Sequence, residues 1–250
     1  MKALLLAAGR GTRISRHLGG KPKCLVDIGG ISLLKYSVEL LRSRGIEDIA
    51  IVLGYNEMYI RDELKGLGVS FFYNPLFDIT NSIVSLWFAR EFISNQTDLM
   101  IMNADVYIEQ DTLDVILASQ YDRVVFADSL RKIEADYKLK YEGNALLKYG
   151  KELQGEDVSG EYIGIGKISS SSVDGFVFKL ESMINNQQHS LWWENVLYNN
   201  NSDNPVNVTE ITGQFWAEVD YIEDYSRILT WRGQKELLSN FSADMTKVLS

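Results

Sequence analysis

Cysteine is almost missing: Cys24 is the only one in 250 residues. That excludes an intrachain disulfide and a cysteine-based metal cluster. Long apolar runs are missing too, and none approaches the roughly 20 residues needed to span a bilayer. The apolar run at 3–8 is too short for a secretion-signal core and leads into charge rather than a cleavage site. The default expectation is a cytoplasmic protein with no membrane partner. A basic excess is absent, since 25 Lys and Arg face 34 Asp and Glu for a net charge of −9. No nucleic-acid partner is therefore expected, because strand or duplex binding wants a basic face. Only two histidines occur, His17 and His189, neither in a catalytic spacing, and no serine sits in a G-x-S-x-G elbow. Repeats, low-complexity tracts and linkers are also missing. The chain reads as one domain over 1–250, with a nucleotide half to about residue 130 and an acceptor half over 131–250.

What is present is concentrated at the start. Ala3 to Ala8 is a short apolar run suited to a strand buried on both faces. Gly9 and Gly11 break it, and Arg10, Arg13, Arg16, Lys21 and Lys23 follow. Glycines let backbone N–H groups approach an anion with no Cβ in the way, and the cations neutralise it. In a chain of net negative charge, such a local basic cluster suits one small polyanion. The Walker spacing is absent, and Ile14 stands where the third glycine of G-x-G-x-x-G belongs.

The order of elements points to an α/β fold. Strands are expected at 46–54, 69–73, 99–102 and 123–127, with helices at 31–44, 57–67, 81–93 and 112–119 between them. Ser32 is placed to cap the first helix. This alternation implies right-handed crossovers and a doubly wound, mainly parallel, Rossmann-like mixed sheet. Beyond 130 the texture changes. A hairpin over 137–149 turns at Glu142-Gly143-Asn144, a strand follows at 161–169 and a helix at 173–183, opened by Ser169 to Ser172. A helix at 191–198, a polar loop at 199–204, strands at 206–211 and 214–219 and a helix at 221–238 complete the reading. The hairpin makes a small antiparallel subregion for an acceptor.

Asp105 follows an apolar strand, at the carboxyl edge where open α/β sheets bind ligands. There it faces the same crevice as the glycine loop. Phosphate and carboxylate side by side need a cation between them, and Mg2+ fits because it takes oxygen ligands and bridges phosphates. The plainer alternative is that Asp105 caps a turn or the following helix.

The run Leu6-Ala7-Ala8-Gly9-Arg10-Gly11-Thr12-Arg13, with Lys21-Pro22-Lys23-x-Leu25 after it, resembles the nucleotide-binding loop of sugar-phosphate nucleotidylyltransferases. The resemblance implies a GT-A-like nucleotidyltransferase fold. It also implies that Leu6, Ala8, Gly9, Arg10, Gly11 and Thr12, with Asn81 and Ser85, hold the nucleotide. Arg13 and Lys23 would be the catalytic cations. The segment Trp216-Ala217-Glu218-Val219-Asp220-Tyr221-Ile222-Glu223-Asp224 matches the family's late W-x-E-[IV]-D-x-x-E-D pattern, which places Mg2+ on Asp105 and Asp220. Asp220 has an alternative role as a helix cap, with Glu223 completing a capping box. Asn103 departs from the acidic residue or glycine often found two positions before the metal aspartate, leaving one metal aspartate there rather than a pair.

The order of the stretches Asn81-Ser82-Ile83-Val84-Ser85-Leu86-Trp87, Gly160 to Lys167 and Trp192-Trp193-Glu194-Asn195 resembles the small non-sugar branch of that family, the phosphocholine and 2-aminoethylphosphonate cytidylyltransferases. What the resemblance implies is transfer of CMP from CTP to a small phosphorylated or phosphonylated amine or amino acid, such as phosphoglutamine. Such enzymes serve cell-surface polysaccharide or phosphonate biosynthesis. An anionic acceptor oxygen needs no general base, only positioning and charge neutralisation at the α-phosphorus. Tyr162, Trp192, Trp193 and Trp216 are candidates to wall a cationic head group, and Glu161 and Glu194 to pair with an ammonium. Aromatics at strand and helix spacing are also ordinary core. Two other readings stay open: a sugar-1-phosphate nucleotidylyltransferase, and a non-catalytic nucleotide-binding regulator. A homodimer is left open.

Overall fold

The computed structural model describes residues 1–11, 13–14, 18–94, 97–198 and 205–248, with side chains to residue 235. Thr12, His17 and the loop at 199–204 lie outside the described residues.

Strand β1 (Lys2–Ala7) lies between β2 (Asp48–Leu53) and β4 (Leu99–Asn103), parallel to both. A strand paired on both edges and covered on both faces must be apolar throughout, which is why the run 3–8 alternates no polar residues. β3 (Ser70–Tyr73) adds a parallel edge. β9 (Gly160–Ile168) inserts antiparallel between β4 and β6 (Arg123–Asp128). β10 (Asn207–Glu210) runs parallel to β6, and the hairpin of β7 (Lys138–Glu142) and β8 (Ala145–Gly150) closes the far side. The nine-stranded order is β3-β2-β1-β4-β9-β6-β10-β8-β7, so one sheet passes through both halves of the chain.

Helices cover both faces, as the alternation of strands and helices requires. On one face α1 (Leu33–Ser43), α2 (Glu57–Glu63) and α5 (Gln110–Ala118) pack Leu34, Val38, Ile60 and Ile116 on Ala3, Leu5 and Ile51. On the other, α3 (Ser82–Phe88), α4 (Arg90–Ile93) and α6 (Ser170–Asn185) pack Ile83, Ile93 and Leu180 on Leu4, Val52 and Ile101. Ser32 caps α1 as expected, its Oγ accepting from Lys35 N.

The sequence reading and the structure differ in four places. The helix expected at 81–93 breaks at buried Ala89, whose backbone leaves the helical region at φ −97° and ψ 9°. The helix expected at 191–198 shrinks to the single turn α7 (Glu194–Leu197), because Trp193 N is drawn to Ser82 Oγ at 2.9 Å and its ring is fully buried. The last helix, α8 (Ile222–Val248), runs ten residues past the expected 238. A short strand went unread: β5 (Val106–Ile108) pairs antiparallel with β11 (Trp216–Glu218), with Glu218 opposite Val106. This two-stranded ribbon carries a third core, where Tyr107, Ala217 and Val219 meet Ile14, Leu33 and Ile228.

Candidate active site

The ribbon assembles the site. Pairing Glu218 with Val106 continues into a backbone bond from Val219 N to Asp105 O of 3.0 Å, so residues more than a hundred positions apart meet at the end of β4. One carboxylate oxygen each from Asp105, Glu218 and Asp220 then lies within 4.8 Å of the others. Asp105 caps no helix: its Oδ2 contacts Lys23 Nζ, and its Oδ1 is buried with no hydrogen-bond partner. Asp220 is no cap either. The backbone N–H groups of Asp220 and Tyr221 donate to Asp224 Oδ2, at 3.3 and 2.9 Å, so Asp224 does the capping work expected of Asp220 and Glu223. This leaves the Asp220 carboxylate free to take Lys23 Nζ at 2.6 Å and Arg13 Nη1 at 3.0 Å.

Charge explains why the cations come here. Burial alone would pull the Lys23 ammonium down, but Asp105, Glu218 and Asp220 outweigh it and raise its pKa. Burial pushes Asp220 up, and Lys23 and Arg13 more than reverse that, holding it below the usual carboxylate range. Glu218 is raised well above that range, first by burial and then by the charge on Asp105. Glu218 was absent from the expected site residues, although Trp216, Glu218 and Asp220 alternate with period two. Along an extended chain that period puts them on one side.

The glycine loop lies alongside. Ala104 N donates to Leu6 O at 3.1 Å, holding the ends of β1 and β4 together. Leu6, Ala8, Gly9, Gly11 and Lys23 line a cleft of about 310 Å³ with Asn81, Ser85, Asn103 and Asp105. Gly11 has a φ of +59°, and a Cβ there would lie 2.8 Å from Cβ, Cγ and Cδ of Lys23. The lysine stem therefore crosses directly over Gly11. Gly11→Ala should strain the loop and push Lys23 aside, lowering kcat on the order of 100-fold, since a misplacement of about 1 Å carries such an effect. Wild-type turnover by a Gly11→Ala protein with an unchanged circular dichroism spectrum would contradict this geometry.

Of the expected nucleotide residues, Asn81 and Ser85 line the cleft and Arg10 does not. Arg10 is exposed at its rim, paired with Asp78 at 2.7 Å and close over Tyr55 and Phe77. Asn81 caps α3 through Oδ1 and reaches Ser190 O with Nδ2 at 3.3 Å. Ser85 accepts from Asn74 Nδ2 at 3.0 Å.

The candidate acceptor residues divide between two places. Trp192 and Glu194 line the main cleft. Tyr162 is buried behind them, beside the Glu194 carboxyl. Glu194 is buried in the cleft wall, and among the described residues no lysine or arginine pairs with it. Burial, then the charge on Asp105, pushes its pKa up to about 8. Glu161 and Trp216 instead line a smaller pocket of about 100 Å³ on the other side of Glu218 and Asp220. Glu161 already accepts from Arg131 Nε at 2.7 Å and Asp136 N at 3.0 Å, and Trp216 Nε1 donates to Asp128 at 2.9 Å. Trp193 donates to Asn103 Oδ1 at 3.2 Å from full burial. The four aromatics therefore form no single cage; Trp192 alone of them borders the main cleft.

The sequence profile of the MobA-like NTP transferase domain matches residues 3–155, the stretch that carries the loop, β4 and Asp105. The chain belongs to the MobA-like NTP transferase family. Among the relatives of this NTP transferase is CTP:phosphoglutamine cytidylyltransferase of Campylobacter jejuni, 27% identical over 252 residues that cover 90% of this chain and 97% of the relative. Choline-phosphate cytidylyltransferase of Streptococcus pneumoniae is 25% identical over 248 residues, covering 96% and 99%. The solved structure of CTP:phosphocholine cytidylyltransferase from Streptococcus pneumoniae superposes with a TM-score of 0.75 at 23% identity, over 92% of this chain and 97% of that one. That superposition shows the shared nucleotidyltransferase fold. No helix among the described residues is long and apolar enough to cross a membrane.

Proposed function

We propose that the chain transfers CMP from CTP to a small phosphorylated or phosphonylated amine or amino acid and releases pyrophosphate. One observation carries this reading: the cleft that holds the glycine loop and the Asp105 cluster also holds Glu194, a buried carboxyl with no cationic partner among the described residues. A buried acid in want of a positive partner suits an acceptor with an ammonium group. The uncharged hydroxyls of a sugar phosphate would not supply that partner. The full-length likeness to two cytidylyltransferases, named for phosphoglutamine and choline phosphate, supports the choice of CTP and of such acceptors.

In this reading the backbone of Ala8 to Gly11 cradles the triphosphate, and Asn81 and Ser85 border the nucleoside. The acceptor's anionic oxygen attacks the α-phosphorus; the new P–O bond forms as the bond to pyrophosphate breaks. Arg13 and Lys23 neutralise the charge that builds on the phosphoryl oxygens. Asp105, with an unpartnered oxygen, Asp220 and Glu218 form an all-oxygen donor set that fits Mg2+. The ion would supply Lewis-acid stabilisation of the same charge. Trp192 and Glu194 hold the acceptor's cationic end. CTP supply places such an enzyme in the cytoplasm.

A pyrophosphate-release assay crossing four NTPs with phosphocholine, 2-aminoethylphosphonate, phosphoglutamine and glucose-1-phosphate tests the reading. Turnover is expected with CTP and at least one amine-bearing acceptor. Turnover confined to the sugar phosphate overturns it, and no turnover with any pair favours a nucleotide-binding regulator.

A further inference from the structure

Lys23 is the residue expected to meet the nucleotide's phosphates, yet its ammonium lies among the carboxylates. Nζ contacts Asp105 Oδ2 and lies 2.6 Å from Asp220 Oδ1, two of the three side chains that offer a metal site. A divalent cation bound to these oxygens at about 2.1 Å would stand in van der Waals contact with that ammonium. Two cations that close, in a buried setting, repel strongly. Metal and lysine are therefore alternative occupants of one place.

We propose that Lys23 is a built-in counter-ion that keeps the divalent metal out of the Asp105–Glu218–Asp220 cluster until a nucleotide draws its ammonium away. The proposal rests on the reading that this cluster takes Mg2+. Three features support it. Lys23 and Arg13 match Asp105 and Asp220 charge for charge, so the two aspartates have partners before any metal arrives. The lysine stem lies across Gly11, within the loop that cradles the phosphates, so a rotation about its own side-chain bonds carries Nζ from the acids toward the triphosphate. Asp105 Oδ1 is left without a donor, which shows that the ammonium occupies the cluster without saturating it. An NTP arriving with its metal resolves all three at once: phosphate takes the lysine, and the carboxylates take the ion. Metal entry is thereby tied to nucleotide entry.

The test uses the full chain after chelation, with Mn2+ as a paramagnetic stand-in read by electron paramagnetic resonance. Without nucleotide, Lys23→Met should bind Mn2+ on the order of 100-fold more tightly than wild type, because the competing state is gone. Adding Asp105→Asn to Lys23→Met should abolish the gain, which assigns the ion to this cluster. In parallel, Mn2+ alone should leave the wild-type melting midpoint unmoved and raise that of Lys23→Met. A Lys23→Met protein that folds only with Mn2+ present supports the proposal equally. Equal Mn2+ affinity in the two proteins, or a wild-type midpoint that climbs with Mn2+ alone, overturns the exclusion while leaving the metal site standing. Failure of both proteins to bind Mn2+ even beside CTP overturns the metal reading, and the exclusion with it.

Discussion

Asp105→Asn should lower kcat on the order of 100- to 1000-fold while the KM for each substrate stays within a few-fold. The asparagine keeps the shape of a residue that is 9% exposed, so the ribbon of β5 and β11 has no reason to move. What is lost is one negative charge at the meeting point of the loop and the acid cluster. Lys23 would retain Asp220 at 2.6 Å, so the resting fold keeps a counter-charge for its buried ammonium. The penalty therefore falls on the step in which charge moves at the α-phosphorus, and about 3–4 kcal/mol of lost stabilisation is the usual size for one such group. Steady-state pyrophosphate release, with circular dichroism as the control for folding, measures it. A kcat within threefold of wild type would remove Asp105 from the chemistry and return it to a structural role.

The nucleotide side of this site was legible because it is local. Leu6 to Arg13 and Lys21 to Leu25 are contiguous, and the steric demands on Gly11 are written into a short stretch of chain. The parallel strands were legible for a related reason: burial on both faces leaves an unbroken apolar run, and β1, β2 and β4 all carry one. The acid cluster was only half legible. Asp105 announces itself at a strand end, and the strand expected at 214–219 carries Glu218, but the partner that fixes it is the three-residue β5, more than a hundred positions away. Three residues give too few alternations to stand out as a strand. The period-two spacing of Trp216, Glu218 and Asp220 was visible, yet nothing local says which face the acid cluster will occupy.

The acceptor side was least legible, for the same reason made stronger. Glu161 and Tyr162 are neighbours on β9, so their side chains leave opposite faces of the sheet. Glu161 goes to Arg131 and the smaller pocket; Tyr162 goes behind Glu194. Sequence proximity thus suggested one acceptor cage where the pleat makes two separate surroundings. Trp192 and Trp193 part as well, because Trp193 is claimed by Ser82 and Asn103 while Trp192 stays at the cleft.

Glu194→Gln is the second large effect, and its sign follows from burial. The ordinary glutamate value is 4.5 and the folded chain raises it to about 8, so between those limits the folded state keeps a proton that the unfolded chain has lost. Stability must then fall as pH rises through that window, by up to about 1.4 kcal/mol per pH unit and at most about 5 kcal/mol across it. Glutamine cannot ionise, so the stability of Glu194→Gln relative to wild type should climb steadily from pH 5 to pH 8.5 in urea denaturation. Parallel curves for the two proteins would show that Glu194 does not titrate in the folded chain. The same buried proton gives the acceptor a signature. An ammonium seated beside Glu194 favours the carboxylate, so acceptor binding at pH 7 should release a proton, read by calorimetry in two buffers of different ionisation enthalpy. Glu194→Gln should remove that release and raise the acceptor KM at least about tenfold, because a buried charge pair is lost, while the KM for CTP stays put. Proton release that survives the substitution would move the cationic end of the acceptor away from Glu194, to the pocket lined by Glu161 and Trp216 on the far side of the acid cluster.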